Sequence, residues 1–389
     1  MEIHQDYRYS IIIPNYNGLK YMEKCMAALR KQSYTSFIVI NVDNGSTDGS
    51  REYLEELAAG EKHLKIKNIF LNENTGFSGA VNVGISAAET EFVVLLNNDT
   101  EPERDYLKRM DEVFAEDKEK KIFAVTPKML QLYAPQLLDD AGDGYNLLGW
   151  AFQRGVGQRE DSERFNRKTN VFSACAGAAA YRKELLDEIC FEDDGEEEML
   201  SCREGSDFGE LRLMSRSPRT LAQEALCPGE LRVRSYFDPL HFAYLEDVDV
   251  SFRARVRGYE IVYLPESRVL HVGSGTSGSR YNHFKVRLAA RNNVYLNYKN
   301  MPWLMLIVNF PFIMCGVIVK QIFFMRRGFG GDYAAGFAEG IRTIGKCRAR
   351  KTCFRAGRLK NYLRIEGMLI ADTVSYIQDV LVRHTAKRS

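Results

Sequence analysis

The first hundred residues alternate short apolar runs with segments of helical pattern, and this alternation restricts the chain to few folds. The apolar runs are Tyr9–Ile13, Phe37–Val42, Ile66–Leu71 and Phe92–Leu96. The segments between them that read as helices are Leu19–Gln32, Ser50–Leu57 and Gly79–Ala88. Strands that alternate with helices in this way predict a doubly wound α/β domain.

Polar residues follow each of these runs at once or within a few positions. Asn97, Asn98 and Asp99 come directly after Phe92–Leu96. In open α/β sheets, ligands bind beyond the carboxyl ends of the strands, where Asp99 could meet a metal and a phosphorylated substrate. A plain Asn/Asp turn explains any single loop equally well. Four polar loops at one sheet edge favour a binding site.

Two further clusters carry groups capable of acid–base chemistry or metal binding. Glu246, Asp247 and Asp249 lie within four residues of one another at the start of a segment of helical pattern. The helix dipole explains one or two carboxylates in a first turn, and the third makes a base or a metal ligand plausible. His271 ends an apolar run and enters a Gly/Ser-rich loop. A lone histidine is more often a surface or core residue, so both interpretations stay open.

The charge distribution argues against a nucleic-acid partner and predicts membrane contact. The formal net charge of the 389 residues is +1, yet fifteen Lys/Arg and five Asp/Glu fall between Lys320 and Ser389. This basic tail follows a nearly continuous apolar segment, Trp303–Val319, which is interrupted by Pro311. Spanning a bilayer needs ~20 apolar residues, so a re-entrant or interfacial segment on an anionic membrane surface is expected. The alternative is a buried core helix.

The remaining features set the expected compartment and the domain limits. The eight cysteines form no C-x-x-C pair, which favours reduced thiols in the cytosol. The N-terminus lacks a signal-peptide core, so the inner face of the cell membrane is the expected location. We expect a catalytic domain over residues 1–300, an irregular, partly disordered insertion over about 191–235, and a membrane-associating helical tail over 301–389.

Seven segments in order resemble family 2 glycosyltransferases, in particular the bacterial rhamnosyltransferase-like branch that builds cell-wall and surface polysaccharides. The segments are Ser10–Leu19, Val42–Arg51, Leu71–Ser86, Leu95–Glu103, Cys175–Lys183, Tyr244–Glu260 and Leu264–Gly278. The resemblance covers roughly residues 8 to 300 and implies a GT-A fold, with a nucleotide-binding half followed by an acceptor-binding half.

The resemblance also implies roles for individual residues on the donor side. Asp99 and His271 would hold a divalent cation, Mg²⁺ or Mn²⁺, beside the donor diphosphate. Asn97 stands where the family's Asp-x-Asp motif has its first acid, so Asp99 would be the main carboxylate ligand. The residues implied to bind the nucleotide sugar are Pro14, Asn15, Tyr16, Asp43, Asn74, Gly76, Phe77, Asn82, Asn97 and Asn98.

On the acceptor side, the resemblance implies that Asp247 is the general base, assisted by Glu246, and that transfer inverts the anomeric configuration. Arg291 is a weaker candidate for binding a lipid-linked pyrophosphate or a growing surface saccharide. The expected donor is dTDP-rhamnose, with a UDP- or GDP-sugar as the alternative. A nucleotidyltransferase and a non-catalytic nucleotide-sugar-binding protein are the other readings. The first is disfavoured because no arginine lies in the loop after the first strand.

Overall fold

A mixed β-sheet of ten strands forms the centre of the protein in the computed structural model, which describes residues 7–191, 197–202, 211–216, 230–273 and 281–385. Its main path runs β10-β15-β6-β11-β4-β1-β2-β3, while β5 pairs with β15 and β7 with β6. The strands of this sheet are β1 (Tyr9–Asn15), β2 (Phe37–Asn44), β3 (Lys65–Leu71), β4 (Phe92–Leu96), β5 (Thr100–Pro102), β6 (Ile122–Gln131), β7 (Ala134–Asp140), β10 (Thr169–Asn170), β11 (Ala178–Arg182) and β15 (Glu260–His271). The short strands β8 (Asp143–Tyr145) and β9 (Ala151–Gln153) form a separate hairpin.

Helices cover both faces of this sheet, as the alternation in sequence predicts. The helices among the described residues are α1 (Leu19–Arg30), α2 (Ser50–Gly60), α3 (Gly76–Ser86), α4 (Tyr106–Glu116), α5 (Lys183–Ile189), α6 (Glu246–Arg257), α7 (His283–Asn300), α8 (Trp303–Met325), α9 (Gly330–Thr343) and α10 (Leu359–Thr385). Neighbouring residues of β1 belong to different cores, because successive side chains of a strand point to opposite faces. Ile12 packs with α3, whereas Ile11 and Ile13 pack with α1 and α4.

The parallel strands β3, β2, β1 and β4 confirm the predicted doubly wound half. Strand β11 then pairs antiparallel with both β4 and β6, and β15 runs parallel to β6. The carboxyl ends of β1, β2 and β4 therefore share one edge, which collects the polar loops noted in the sequence.

The region predicted to be an irregular, partly disordered insertion contains regular strands in its described parts. Strands β12 (Glu197–Cys202), β13 (Leu211–Arg216) and β14 (Glu230–Val233) form a small antiparallel sheet in the order β13-β12-β14. The expectation of partial disorder concerns stretches between these strands that lie outside the described residues.

The C-terminal helices pack onto the part of the protein that contains the sheet rather than extending from it. Tyr145, Phe172 and Phe252 share an apolar core with Met305 of α8 and Leu369 of α10. Asp372 accepts a hydrogen bond from the backbone of Tyr145 at 2.9 Å. Helices α8 and α10 thus complete a hydrophobic core in addition to any membrane role.

Helix α8 is the one helix among the described residues that is long and apolar enough to cross a membrane, by length and composition. It continues without a break through Pro311 over 23 residues. Its most hydrophobic stretch is only 22% buried in the protein, so the alternative of a fully buried core helix does not describe it. Exposed apolar side chains continue on α10 at Leu363, Ile370, Val374, Ile377 and Leu381.

Candidate active site

The pairing of two strands brings Asp99 and His271 together. Strand β5 runs antiparallel to the end of β15, with Thr100 opposite His271. Asp99 precedes β5, and its backbone carbonyl accepts a hydrogen bond from Val272 at 3.1 Å. The Nε2 atom of His271 lies 3.3 Å from Oδ1 of Asp99. Residues 172 positions apart in sequence therefore meet, as the resemblance implied.

A third side chain fixes the imidazole of His271. Asp139, at the end of the β6–β7 hairpin, accepts a hydrogen bond from Nδ1 of His271 at 2.7 Å. This contact leaves Nε2 directed at Asp99, which is the arrangement by which a second carboxylate orients a metal-binding histidine. Nothing in the sequence identified Asp139, because its part depends on how the hairpin folds back.

The electrostatics of this trio favour a bound cation. Burial lowers the pKa of His271, but hydrogen bonds to Asp139 and Asp99 outweigh it and raise the pKa to about 10. The site therefore stabilises positive charge strongly, whether as a proton or as a metal ion. Carboxylate oxygen and imidazole nitrogen are donors that Mn²⁺ and Mg²⁺ accept, so the residues fit the implied metal.

Next to this trio, a buried amide–carboxylate network joins the ends of three neighbouring strands. Asn98 donates to Oδ1 of Asn15 at 2.6 Å, and Asn15 donates to Oδ2 of Asp43 at 2.8 Å. The other oxygen of Asp43 accepts from the backbone of Ser46 at 3.0 Å. Tyr16 is 39% exposed beside this network. The network brings together predicted residues at the carboxyl ends of β1 and β2 and directly after β4.

The turn before α3 is built around a glycine that no other residue could replace easily. Gly76 has φ +77°, and a Cβ atom there would lie 2.4 Å from the carbonyl oxygen of Phe242. Oδ1 of Asn74 accepts from the backbone of Gly76 at 2.9 Å. The backbone of Ser78 donates to the carbonyl of Phe242 at 3.1 Å, which joins this turn to the loop that precedes Asp247.

Three of the residues predicted to bind the nucleotide sugar are held mainly by contacts within the protein. Asn82 is buried, donates to the carbonyl of Phe237 at 2.7 Å and accepts from the backbone of Tyr236. Phe77, the second residue of α3, packs against the hydrophobic core on that side of the sheet. The backbone of Asn97 donates to Gly177 at 2.8 Å, which holds the small-residue segment before β11 close to the motif. Pro14, at the end of β1, is half-buried.

The predicted base lies at the first turn of α6. Asp247 accepts from the backbone of Val248 at 2.8 Å and of Ala176 at 3.4 Å. Burial raises its pKa above the ordinary value, despite these hydrogen bonds. Glu246 is 6% exposed, and its pKa is raised strongly by burial and by the charge of Asp247. A carboxylate with a raised pKa is a better proton acceptor, as a general base requires.

Strained backbone leads into this helix. Phe242, Tyr244 and Leu245 all have φ between 62° and 71°, a region that residues with side chains rarely adopt. Asn292 of α7 is buried, and its side-chain amide donates to the carbonyls of His241, Ala243 and Tyr244 at 2.8–2.9 Å. These contacts hold the loop in its strained form and so position Asp247.

Arg291 supports the same loop from the adjacent position on α7. Its guanidinium donates to the carbonyl of Leu240 at 3.0 Å and lies 3.4 Å from Glu339. These partners account for its conformation without an acceptor. Asp249 is likewise engaged in structure, since Lys299 and Arg253 contact it at 2.8 and 3.2 Å.

The sequence analysis also did not identify several ionisable groups near Asp247 and near Asp99. Asp140, Asp143 and Cys175 lie with their ligand atoms within 4.8 Å of one another, next to Asp247. Burial, together with Asp139 and Asp247, raises the pKa of Asp140 to about 7. On the other side of Asp99, Lys20 and Lys24 of α1 line a small cavity of about 110 Å³. Lys20 and Lys24 lie at positions i and i+4, which places them on one face of α1, and this spacing is the sequence signal that could have indicated them.

The arrangement is an α/β domain with the Asp99–His271 pair at the carboxyl edge of its sheet and the half-buried carboxylate of Asp247 at the start of α6. Residues 10–190 match the family model "Glycosyl transferase family 2". This part of the chain is therefore similar to family 2 glycosyltransferases, as the sequence motifs suggested.

Two curated relatives and one solved structure indicate the extent of this similarity. A glycosyltransferase of Nostoc sp. is 37% identical over 105 residues, which are 27% of this chain and 32% of that protein. A teichoic acid poly(glycerol phosphate) polymerase of Staphylococcus epidermidis is 33% identical over 92 residues, 24% of this chain and 13% of that protein. The matches thus span a third or less of these relatives.

The crystal structure of GalNAc-T7 with UDP, GalNAc and Mn²⁺ resembles the chain with a TM-score of 0.51 and 14% identity. The match covers 75% of this chain and 48% of that one. It confirms the GT-A type of fold.

Proposed function

We propose that the protein is an inverting glycosyltransferase that moves a sugar from a nucleotide-sugar donor to a hydroxyl of a saccharide acceptor. The observation that carries this proposal is the pairing of Asp99 with His271 at 3.3 Å, together with the carboxylate of Asp247 at the start of α6. Asp140 links the two, since the charges of both Asp139 and Asp247 act on it. The similarity of residues 10–190 to family 2 supports the same chemistry.

The donor half of the reaction needs stabilisation of the departing diphosphate. Asp99 and His271 would hold a divalent cation, which when bound neutralises negative charge on the leaving group. Asp139 keeps Nε2 of His271 directed toward Asp99. The crystal structure of GalNAc-T7 holds UDP and Mn²⁺, which supports a nucleotide-sugar donor here.

The acceptor half needs one base. Asp247 takes the proton of the attacking hydroxyl, and its raised pKa improves its basicity. Glu246 shares its burial and lies beside it, so it orients the acceptor or supports the loop. One base opposite a leaving group is enough for inversion, and we assign no residue as a covalent nucleophile.

The substrate assignment is the finer part of the proposal. We infer an acceptor in cell-surface polymer synthesis, lipid-linked or polymeric, which the teichoic acid polymerase among the relatives supports. L-Rhamnose from dTDP-rhamnose is the proposed donor sugar, on the sequence motifs alone. The exposed apolar side chains of α8 support work at the inner membrane surface.

A thermal-shift screen with Mn²⁺ and a panel of nucleotide sugars tests the proposal, since a ligand that binds the native state raises the melting temperature. A shift with dTDP-rhamnose alone would support the donor assignment. A shift with a UDP- or GDP-sugar instead would keep the reaction and remove rhamnose. If no donor shifts the melting temperature in the presence of Mn²⁺, the proposal of a donor site fails.

A further inference from the structure

A cavity of about 860 Å³ lies away from the active-site loops, between α5, α6 and the segment that connects α9 to α10. Eight Lys/Arg side chains and only two acidic ones line it. We call it the arginine cavity. Asp187 and Glu188 are the two acids, and they pair with Arg234 at 2.7 Å and Arg257 at 3.4 Å.

Two arginines of the arginine cavity have no acidic partner among the described residues. Arg355 and Arg358 form no ion pair within the part of the chain that the structure describes. Arg355 is exposed and Arg358 is half-buried. Burial and the nearby charges of Arg358 and Arg253 together lower the pKa of Arg257. Like charges gathered in this way are destabilising unless an anion lies among them.

The surroundings of the cavity point to a membrane-facing position. Lys351, which lines the cavity, lies 4.5 Å from the ring centre of Trp303, the first residue of the apolar helix α8. Phe354 and Leu359, on either side of Arg355 and Arg358, are exposed apolar side chains. Aromatic and basic side chains placed together are typical of protein surfaces at the lipid–water boundary.

We propose that the arginine cavity binds a phosphate group, with the headgroup of an anionic membrane lipid as the source that its surroundings favour. Guanidinium groups suit this ligand because their planar donors match phosphate oxygens. The cavity shares no residue with the Asp99–His271–Asp247 site, so the inference does not depend on the proposed function. A soluble diphosphate has the same chemistry, and the experiment separates the two sources.

The test compares full-length protein with the double variant Arg355→Gln/Arg358→Gln. The matched control is Arg342→Gln/Lys346→Gln, which removes two exposed charges from the same basic tail outside the cavity. Co-sedimentation with vesicles of phosphatidylcholine alone or mixed with phosphatidylglycerol measures lipid binding. Calorimetric titration with inorganic pyrophosphate measures soluble phosphate binding. Melting temperatures confirm that both variants fold.

For a lipid site, the cavity variant should lose roughly 10- to 30-fold in partition onto phosphatidylglycerol vesicles. The control should lose at most a few-fold, and phosphatidylcholine vesicles should not distinguish the variants. Pyrophosphate binding that only the cavity variant loses, with vesicle binding unchanged, would support the site and assign its ligand to solution. Equal losses in both double variants, or no binding of either probe, would overturn the proposal.

Discussion

Replacing Asn292 by alanine should detach the loop that carries the proposed base. The amide nitrogen of Asn292 has two hydrogens, which three backbone carbonyls of residues 241, 243 and 244 share. A hydrogen bond contributes about 1 kcal/mol net, and unsatisfied buried carbonyls add to the loss, so we expect a decrease of about 2–3 kcal/mol in unfolding free energy. The strained backbone at Phe242, Tyr244 and Leu245 would then relax.

Relaxation of this loop would move Asp247, and misplacement of a reacting group by about 1 Å costs on the order of 100-fold in rate. We therefore expect kcat for release of the nucleoside diphosphate to fall roughly 10- to 100-fold. The affinity for Mn²⁺ should stay the same, because Asp99, Asp139 and His271 come from other elements. Urea unfolding, steady-state kinetics and metal titration measure the three quantities.

The adjacent Asn293 supplies the control. It is also nearly buried on α7, but its amide donates to a single distant carbonyl, that of Gly149, at 2.6 Å. Asn293→Ala should lose about 1 kcal/mol of unfolding free energy and keep its kcat. If Asn292→Ala matches Asn293→Ala in both stability and kcat, Asn292 does not position the base.

Three further outcomes follow from the site and its surroundings. Asp139→Asn should weaken Mn²⁺ binding about 10- to 100-fold in a direct titration, and unchanged affinity would remove Asp139 as the group that orients His271. Asp247→Asn should lower turnover by about 10²- to 10⁴-fold with donor affinity kept, whereas near-normal turnover would exclude it as base. His241 is buried with a pKa lowered to about 4, chiefly by burial and by Lys299. In this pH range His241 therefore binds a proton in the unfolded protein but not in the folded protein. The free energy of unfolding should fall by up to about 3 kcal/mol as the pH drops from about 6.5 to 4. His241→Phe should reduce this slope, as unfolding curves at several pH values would show.

The doubly wound half of the fold was predictable because its signals are local. Strand β4, for example, has the same bounds in the structure as in the sequence prediction, since an uninterrupted apolar run ends in polar residues. Helix α3 begins three residues earlier than expected, at Gly76, whose φ of +77° precedes the regular turns. Small residues there conceal the helical pattern.

The candidate site was predictable only in those parts that sequence motifs carry. Asp99, Asp247 and His271 stood out by their neighbours in sequence. Asp139 and Asn292 did not, because their partners lie 132 and about 50 residues away. Such contacts depend on strand register and helix docking, which no local pattern encodes.

The C-terminal region shows the same limit. Its apolar and basic composition predicted membrane contact, but not that α10 would close a core around Tyr145 and Phe172. Deleting residues 302–389 would expose this core, so loss of membrane binding in that variant would not isolate an anchor. Charged substitutions at exposed positions, such as Ile307 on α8 and Ile370 on α10, test membrane contact without that defect.

The central claim is that Asp99 and His271 form a cation-dependent donor site, and calorimetric titration of the donor found by the screen tests it most directly. The titration is run with Mn²⁺ and with chelator, on the unaltered protein and on His271→Ala. We predict binding with Mn²⁺ only, and at least a tenfold weaker affinity in His271→Ala. Equal affinity in chelator, or an unchanged affinity in His271→Ala, would contradict the account.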